Sequence, residues 1–223
     1  MFDRLIKLIG IDKFKEIQSK KILLIGLGGV GSYSLESLIR NGFINITIVD
    51  FDKIDITNLN RQLITNQNNI GLNKVDEAIK RAKSINKDIN IKGLNIKLDK
   101  DNIKELLDNN YDYIIDACDD IDVKIQLMYY SMNYNYKLIS SMGTAKKNDP
   151  TKLSITTLDK TNYDPLAKII RKKVRDLKIN KKIYVVSSTE APVNSNFLGS
   201  NNLVPSVAGL LCVSYIYNDI LNQ

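Results

Sequence analysis

The run Lys21-Ile22-Leu23-Leu24-Ile25-Gly26, continued by Leu27-Gly28-Gly29-Val30-Gly31, leaves few folds open to this chain. An apolar stretch that ends in glycine reads as a strand buried on both faces, the mark of a parallel sheet. From Gly29 to Arg40, apolar Val30, Leu35, Leu38 and Ile39 recur at helical spacing, so a helix packs back on that strand. Between the two sits a GxGxxG turn, which lets backbone N–H groups at a helix N-terminus approach a phosphate. Gly26, Gly28, Gly29 and Gly31 are therefore candidate nucleotide-binding positions. A second strand, Ile46 to Asp50, ends in an acid 19 residues after Gly31, where a carboxylate can hold a ribose. The pattern does not choose the nucleotide; a nicotinamide dehydrogenase would look the same as far as residue 50.

The alternation continues. A helix over Lys74–Ile85, a strand near Asn90–Leu94, a helix near Ile103–Leu107, a strand over Tyr113–Asp116, a helix over Asp122–Asn133 and a strand over Lys137–Ser141 follow in turn. Strands alternating with helices give an α/β fold with a Rossmann-like, doubly wound, mostly parallel sheet. Past Gly143, Leu153–Leu158 and Tyr184–Ser188 read as a C-terminal extension of the same sheet, with a basic helix between them. Thr189–Asn202, uncharged except for Glu190, reads as a mobile loop, and Pro205 opens a terminal helix to about Leu221. The expectation is one domain over 1–223: a helical segment at 1–20, a nucleotide-binding core at 21–141 and a substrate-facing extension at 142–223.

Composition narrows the chemistry. Histidine is absent, which excludes Ser-His-Asp triads, imidazole acid–base catalysis and every His-containing zinc site. Cys118 and Cys212 cannot build a four-thiolate zinc site and form no CxxC. Any metal is thus held by oxygen, which favours magnesium. The longest charge-free apolar run, Leu203–Tyr217, is broken by Pro205, Ser206 and Gly209 and is shorter than the roughly 20 residues of a membrane span. Asp3, Arg4, Lys7, Asp12 and Lys13 leave no apolar signal core in the first fourteen residues. A soluble cytoplasmic protein with reduced thiols is expected.

The net charge of +7 is concentrated. Eight of the 32 basic residues and one of the 25 acidic ones lie between Lys168 and Lys182, so the remaining 24 of each cancel. Within that segment Arg171, Arg175 and Lys178 recur at i, i+4, i+7, and Ile170, Val174 and Leu177 at the same spacing on another face. A helix docked by the apolar stripe would turn the basic stripe outward, toward a polyanion. Lys168, Arg171, Lys172, Arg175 and Lys178 are the candidate contacts.

Three further runs argue against a dehydrogenase: Asp50-Phe51-Asp52, Asn58-Leu59-Asn60-Arg61-Gln62 and Gly71-Leu72-Asn73-Lys74-Val75. Chemically they suit a triphosphate, with Arg61 as a planar fork, Lys74 as a point charge and Asn58 and Gln62 as neutral donors. In this order they resemble the ThiF-like and ubiquitin-activating adenylyltransferase superfamily. The resemblance implies an ATP site at Asp50, Asp52, Asn58, Arg61, Gln62 and Lys74, and a magnesium ligand at Asp119 of Asp116-Ala117-Cys118-Asp119-Asp120. It also implies that Arg4 reaches the phosphates of a partner subunit across a two-fold dimer, with Arg4, Arg61, Lys74 and Asp119 as the catalytic set. The chain lacks the paired CxxC motifs of sulfur-carrier adenylyltransferases and the distant catalytic cysteine of ubiquitin activators. Both of its cysteines read as small buried hydrophobes.

The second half resembles the tRNA threonylcarbamoyladenosine dehydratase family, through Ser141-Met142-Gly143, Asp149-Pro150-Thr151, Lys160-Thr161, Asp164-Pro165-Leu166-Ala167-Lys168 and Val204-Pro205-Ser206-Val207-Ala208-Gly209. The opening Phe2-Asp3-Arg4 and Leu8-Ile9-Gly10 resemble it too. That resemblance implies ATP-dependent activation of the threonyl carboxylate on a tRNA adenosine beside the anticodon, followed by cyclisation, in a homodimer with a sulfur-transfer protein as a further partner. The alternative is an adenylyltransferase that activates the C-terminus of a small ubiquitin-like sulfur carrier.

Overall fold

A computed structural model describes all residues, 1–223. Strand β1 (Lys21–Ile25) alternates between two cores: Ile22 and Leu24 pack into one, Leu23 and Ile25 into the other. A strand buried on both faces needs helices on both sides of its sheet, and the chain supplies them. The remaining strands are β2 (Asn45–Val49), β3 (Asn90–Leu94), β4 (Tyr113–Asp116), β5 (Lys137–Ser141), β6 (Leu153–Thr157) and β7 (Tyr184–Ser188). They form one sheet in the order β3-β2-β1-β4-β5-β7-β6, parallel throughout except for the β6–β7 pair. The chain winds outward from β1 through β2 and β3, then restarts on the other side at β4. The switch point thus lies between the ends of β1 and β4, where open α/β sheets leave a crevice.

On one face lie α2 (Ile11–Ser19), α3 (Gly31–Arg40), α4 (Lys74–Ile85) and α8 (Leu203–Leu221); on the other, α5 (Ile103–Leu107), α6 (Ile121–Tyr130) and α7 (Pro165–Asp176). A short α1 (Asp3–Ile9) precedes them and buries no residue. By length and composition α8 is apolar enough to cross a membrane. Here it is a core helix: Val204, Ala208, Cys212, Val213, Ile216 and Ile220 are buried against the sheet.

Three sequence expectations need amendment. Helix α3 begins at Gly31 rather than Gly29, because Gly28 and Gly29 are spent in the turn. The basic helix ends at Asp176, so Leu177 is 48% exposed and does not continue the apolar stripe; Ala167 and Ile170 carry the docking. The loop 189–202 has no helix or strand, yet it is fastened: Val193 N–H donates to Lys146 O (2.7 Å), and Lys146 N–H donates to Gly199 O (2.9 Å).

Gly31 is the tightest point of the fold. A Cβ there would lie 1.8 Å from the Gly26 carbonyl oxygen, which is backbone and cannot swing away. Gly31→Ala should therefore cost about 3 kcal/mol through overpacking, read as a lowered urea midpoint. The control Gly28→Ala, whose added Cβ meets nothing nearer than 4.0 Å, should leave that midpoint near its original value.

Candidate nucleotide site

The crevice at the switch point is a cleft of about 860 Å³, within the range of small-molecule sites. Gly26, Gly28, Gly29, Asp50, Asp52, Asn58, Arg61, Gln62, Lys74 and Asp119 all line it. Two residues from the expected set do not. Gly31 stands behind the turn, where its missing side chain permits helix–strand contact. Arg4 lies on α1, exposed and outside this cleft.

The local chemistry explains how each side chain is held. Gly26 adopts φ +88°, in the left-handed region, and a Cβ there would meet the Ala117 carbonyl at 2.8 Å. Asp50 fastens the turn: its Oδ2 accepts from Leu27 N–H (2.6 Å) and its Oδ1 from Asp52 N–H (2.8 Å). Each carboxylate oxygen keeps a second lone pair for a hydroxyl. Lys74 starts α4, where the helix dipole disfavours a cation. Its ammonium is nearly buried and reaches Asp52 Oδ2 at 2.7 Å. A lysine in that position suits an anion at the helix start better than it suits helix stability.

Arg61 is half-buried, its Nη1 donating to Thr57 O (2.6 Å) and Asn60 Oδ1 (3.0 Å). Asn58 Oδ1 accepts from Asp55 N–H to close a capping box on the turn Ile56–Asn58, which leaves its Nδ2 as a free donor. Asp120, and not Asp119, caps α6, accepting from the N–H groups of Asp122 and Val123. Asp119 is left exposed with no protein partner.

Gln62 gives the sharpest test of whether a polar ligand fits. It is 6% exposed, and its Oε1 is buried without any hydrogen-bond partner. An orphaned buried acceptor costs about 1–3 kcal/mol unless something donates to it. Together with the open space at Gly28, the orphan fits a nucleotide. One unencumbered carboxylate, Asp119, also fits magnesium, which takes one or two carboxylates and completes its shell with phosphates and water.

Sequence reasoning missed the polar pair beneath the cleft floor. Lys124 and Asp116 are both fully buried, 3.0 Å apart. Lys124 also donates to Ser140 Oγ and to Ser141 O (2.8 Å). Burial alone would lower the Lys124 ammonium, but Asp116 outweighs it and holds its pKa above the ordinary lysine value. The available signal was a lysine one turn from Leu127 and Met128 on an apolar face. Asp116 is thereby committed inside the protein and is no part of the cleft lining.

The basic segment begins at the cleft, whose rim includes Leu166 of α7. Asp164 caps α7, accepting from Ala167 N–H (3.0 Å). The five candidates on this segment do not form one set. Arg171 is turned inward, donating to Thr161 O (2.5 Å) and to the Thr161 hydroxyl. Lys168, Lys172, Arg175 and Lys178 are exposed and make no ion pair, whereas Lys173 reaches Asp122 at 2.6 Å.

These features define a nucleotide-binding α/β protein whose cleft gathers Arg61, Lys74 and Lys97 with Asp50, Asp52, Asp119 and Asp120, and beside which the basic helix α7 starts. The ThiF family model matches residues 2–216. The tRNA threonylcarbamoyladenosine dehydratase of Bacillus subtilis (strain 168) is 36% identical over 96% of this chain and 92% of its own length. The Escherichia coli (strain K12) enzyme of that name is 34% identical over 69% of this chain and 58% of its own length. The crystal structure of the E. coli enzyme with ATP superposes with a TM-score of 0.94 at 30% identity, over 99% of this chain and 93% of that one. The chain belongs to the ThiF family and, within it, to the tRNA threonylcarbamoyladenosine dehydratases. The Haemophilus influenzae molybdopterin-synthase adenylyltransferase is more distant, at 29% over 71% of this chain.

Neither thiol is available as a nucleophile. Burial pushes the Cys212 thiol up to about 12, and burial together with Asp116 holds the Cys118 thiol well above its ordinary value. Burial raises the Tyr113, Tyr136 and Tyr215 hydroxyls as well. Groups whose folded pKa is raised keep their protons when the unfolded chain has lost them. The stability they carry is complete below the unfolded pKa and is lost as pH rises toward the folded one. Between about pH 8 and pH 10, Cys212 alone should account for about 2 kcal/mol of lost stability. Urea unfolding at the two pH values should show the decline, and Cys212→Ala should reduce it by about that amount while Cys118 keeps its own share.

Proposed function

We propose that this chain uses ATP to activate the carboxylate of the threonyl group on threonylcarbamoyladenosine in tRNA, beside the anticodon, so that the group cyclises with loss of water. The observation that carries the reading is the cleft itself: an orphaned Gln62 acceptor, a free Asp119 and three cationic or amide donors face one space, and the basic helix α7 starts beside it at Leu166. Bound there, ATP supplies the phosphoryl or adenylyl group that turns a carboxylate oxygen into a leaving group. The attacking atom belongs to the modification itself, so proximity is built into the substrate and no enzyme nucleophile is needed. A cleft whose one lining thiol is held protonated suits that chemistry.

In this reading the glycine-turn N–H groups and the Asn58 and Gln62 amide nitrogens donate to the phosphates, Arg61 and Lys74 neutralise them, and Gln62 Oε1 accepts from a hydroxyl or amino group of the nucleotide. Asp50 takes the ribose, Asp52 aims Lys74, and Asp119 would hold magnesium. Lys168, Lys172, Arg175 and Lys178 contact RNA phosphates. Arg171 supports the ridge from within instead. Arg4 lies outside its own cleft and serves the cleft of a second copy in a homodimer working in the cytoplasm. A sulfur-transfer protein stays a further partner on the strength of the family resemblance. The sulfur-carrier alternative would need a groove for a protein tail and leaves the basic ridge without a purpose.

Mass spectrometry of tRNA nucleosides after incubation with protein and ATP tests the reaction directly: threonylcarbamoyladenosine should lose one water. Arg61→Ala, Lys74→Ala and Asp119→Ala should each slow turnover by roughly 100- to 1,000-fold while the melting temperature holds. Full activity in Lys74→Ala or Asp119→Ala would remove the assignment.

The ridge has its own test. Glutamine at Lys168, Lys172, Arg175 and Lys178 should weaken tRNA binding and reduce its salt slope by about one for each phosphate no longer neutralised, with ATP affinity unmoved. Arg171→Gln, by contrast, should lower stability first.

A further inference from the structure

Two large aromatic side chains stand in solvent on the segments that frame the cleft mouth, and nothing in the ATP site uses them. Phe197 is 82% exposed, and its neighbour Leu198, 83% exposed, lines the cleft. Tyr163 is 68% exposed and precedes Asp164. A Cβ on the cleft-lining Gly143 would meet Asp164 Oδ1 at 3.3 Å.

Both segments are fastened to the same strap, residues 143–149. On one side the buried Lys147 ammonium reaches Asp164 Oδ2 at 3.2 Å. On the other, Lys146 exchanges backbone hydrogen bonds with Val193 and Gly199, and Asn201 Nδ2 donates to Lys147 O (3.0 Å). The aromatics are thus exposed but not loosely hung. Phe51, also at the cleft, differs: the Lys97 ammonium already covers its ring at 5.7 Å.

Tyr163 also carries strain. Its φ is +53°, the left-handed region that a bulky side chain disfavours and that asparagine tolerates. Strain in an exposed aromatic beside a functional cleft has no stabilising rationale in the fold, which is the pattern of a residue kept for binding. The flanking α7, which starts at the cleft with Leu166, carries unpaired cations from Lys168 onward. Cations for the backbone and π-faces for the bases are the two requirements of single-stranded RNA.

Resting on the reaction proposed above, we infer that Tyr163 and Phe197 form an aromatic receiving site that stacks on the modified adenine, holding the base at the mouth while its threonyl arm enters the cleft. These are substrate-binding residues, distinct from those around the phosphates.

The protein has no tryptophan, so Phe197→Trp installs a sole tryptophan that can be excited selectively over the eleven tyrosines. An RNA hairpin carrying threonylcarbamoyladenosine beside the anticodon should quench it saturably, and the same hairpin made abasic at that position should not. Phe197→Ala should raise the KM for tRNA about 5- to 100-fold, the range of a missing base–aromatic stack, with ATP affinity and kcat retained. Tyr163→Asn should raise the melting temperature and the tRNA KM together, a pairing that a purely structural tyrosine cannot give. Equal quenching by the abasic hairpin, or an unchanged KM in both variants, overturns the inference even where wild-type protein dehydrates its substrate. Base-dependent quenching without any dehydration by wild-type protein would uphold the aromatic site and remove the reaction instead.

Discussion

Everything at the switch point depends on one close approach, that of the α3 N-terminus to the carbonyl of Gly26. With 1.8 Å between that oxygen and the place where a Gly31 side chain would begin, the helix can sit on the turn only because residue 31 has none. The approach aims the first N–H groups of α3 into the crevice. The bond from Leu27 N–H to Asp50 then locks the turn to the end of β2. Moving Gly31 outward would displace the glycine backbone, the Asp50 carboxylate and, through Asp52, the Lys74 ammonium. Three elements distant in sequence are registered by one missing methyl group.

The strands were legible because burial on both faces leaves near-continuous apolar runs, and β1, β3, β4, β5 and β7 fall where the pattern put them. Helix ends were less so. The turn consumed Gly28 and Gly29, and α7 stopped at Asp176 with Lys178 in the left-handed region, φ +53°. Neither event leaves a periodic trace. Lys74 and Asp119, singled out by their offsets from the strand ends, do line the cleft. Arg171 was misjudged because helical spacing assigns a face but not a partner, and the Thr161 carbonyl that claims it comes from a separate turn. Lys124 was missed for the opposite reason: Asp116 was placed at the end of a strand, but nothing in the spacing named the cation that would meet a carboxylate buried there.

The two buried ion pairs divide the labour of the second half. Lys124–Asp116 lies under the floor and joins α6 to the ends of β4 and β5. Lys147–Asp164 lies beside the mouth and joins the strap to the cap of α7. Neither is strong support for stability by itself, since an apolar replacement of similar shape is often as stable. What an ion pair adds is registry, because breaking it leaves an uncompensated buried charge at a cost of about 3–5 kcal/mol.

That registry bears on how a chain without histidine or a reactive thiol can manage a demanding condensation. Its polar groups are not left to find their geometry in solvent. Asp50 is spent on two backbone N–H groups, Asn58 on a capping box and Lys74 on Asp52, each before any ligand arrives. Groups fixed in advance need little reorganisation when charge develops, and that economy is where electrostatic stabilisation is largest. Gln62 Oε1, the Asn58 amide nitrogen and Asp119 are the exceptions, the first buried without a donor, the second a donor left free and the third exposed without a partner. In a site otherwise satisfied internally, the groups left unsatisfied mark where a ligand must complete the structure.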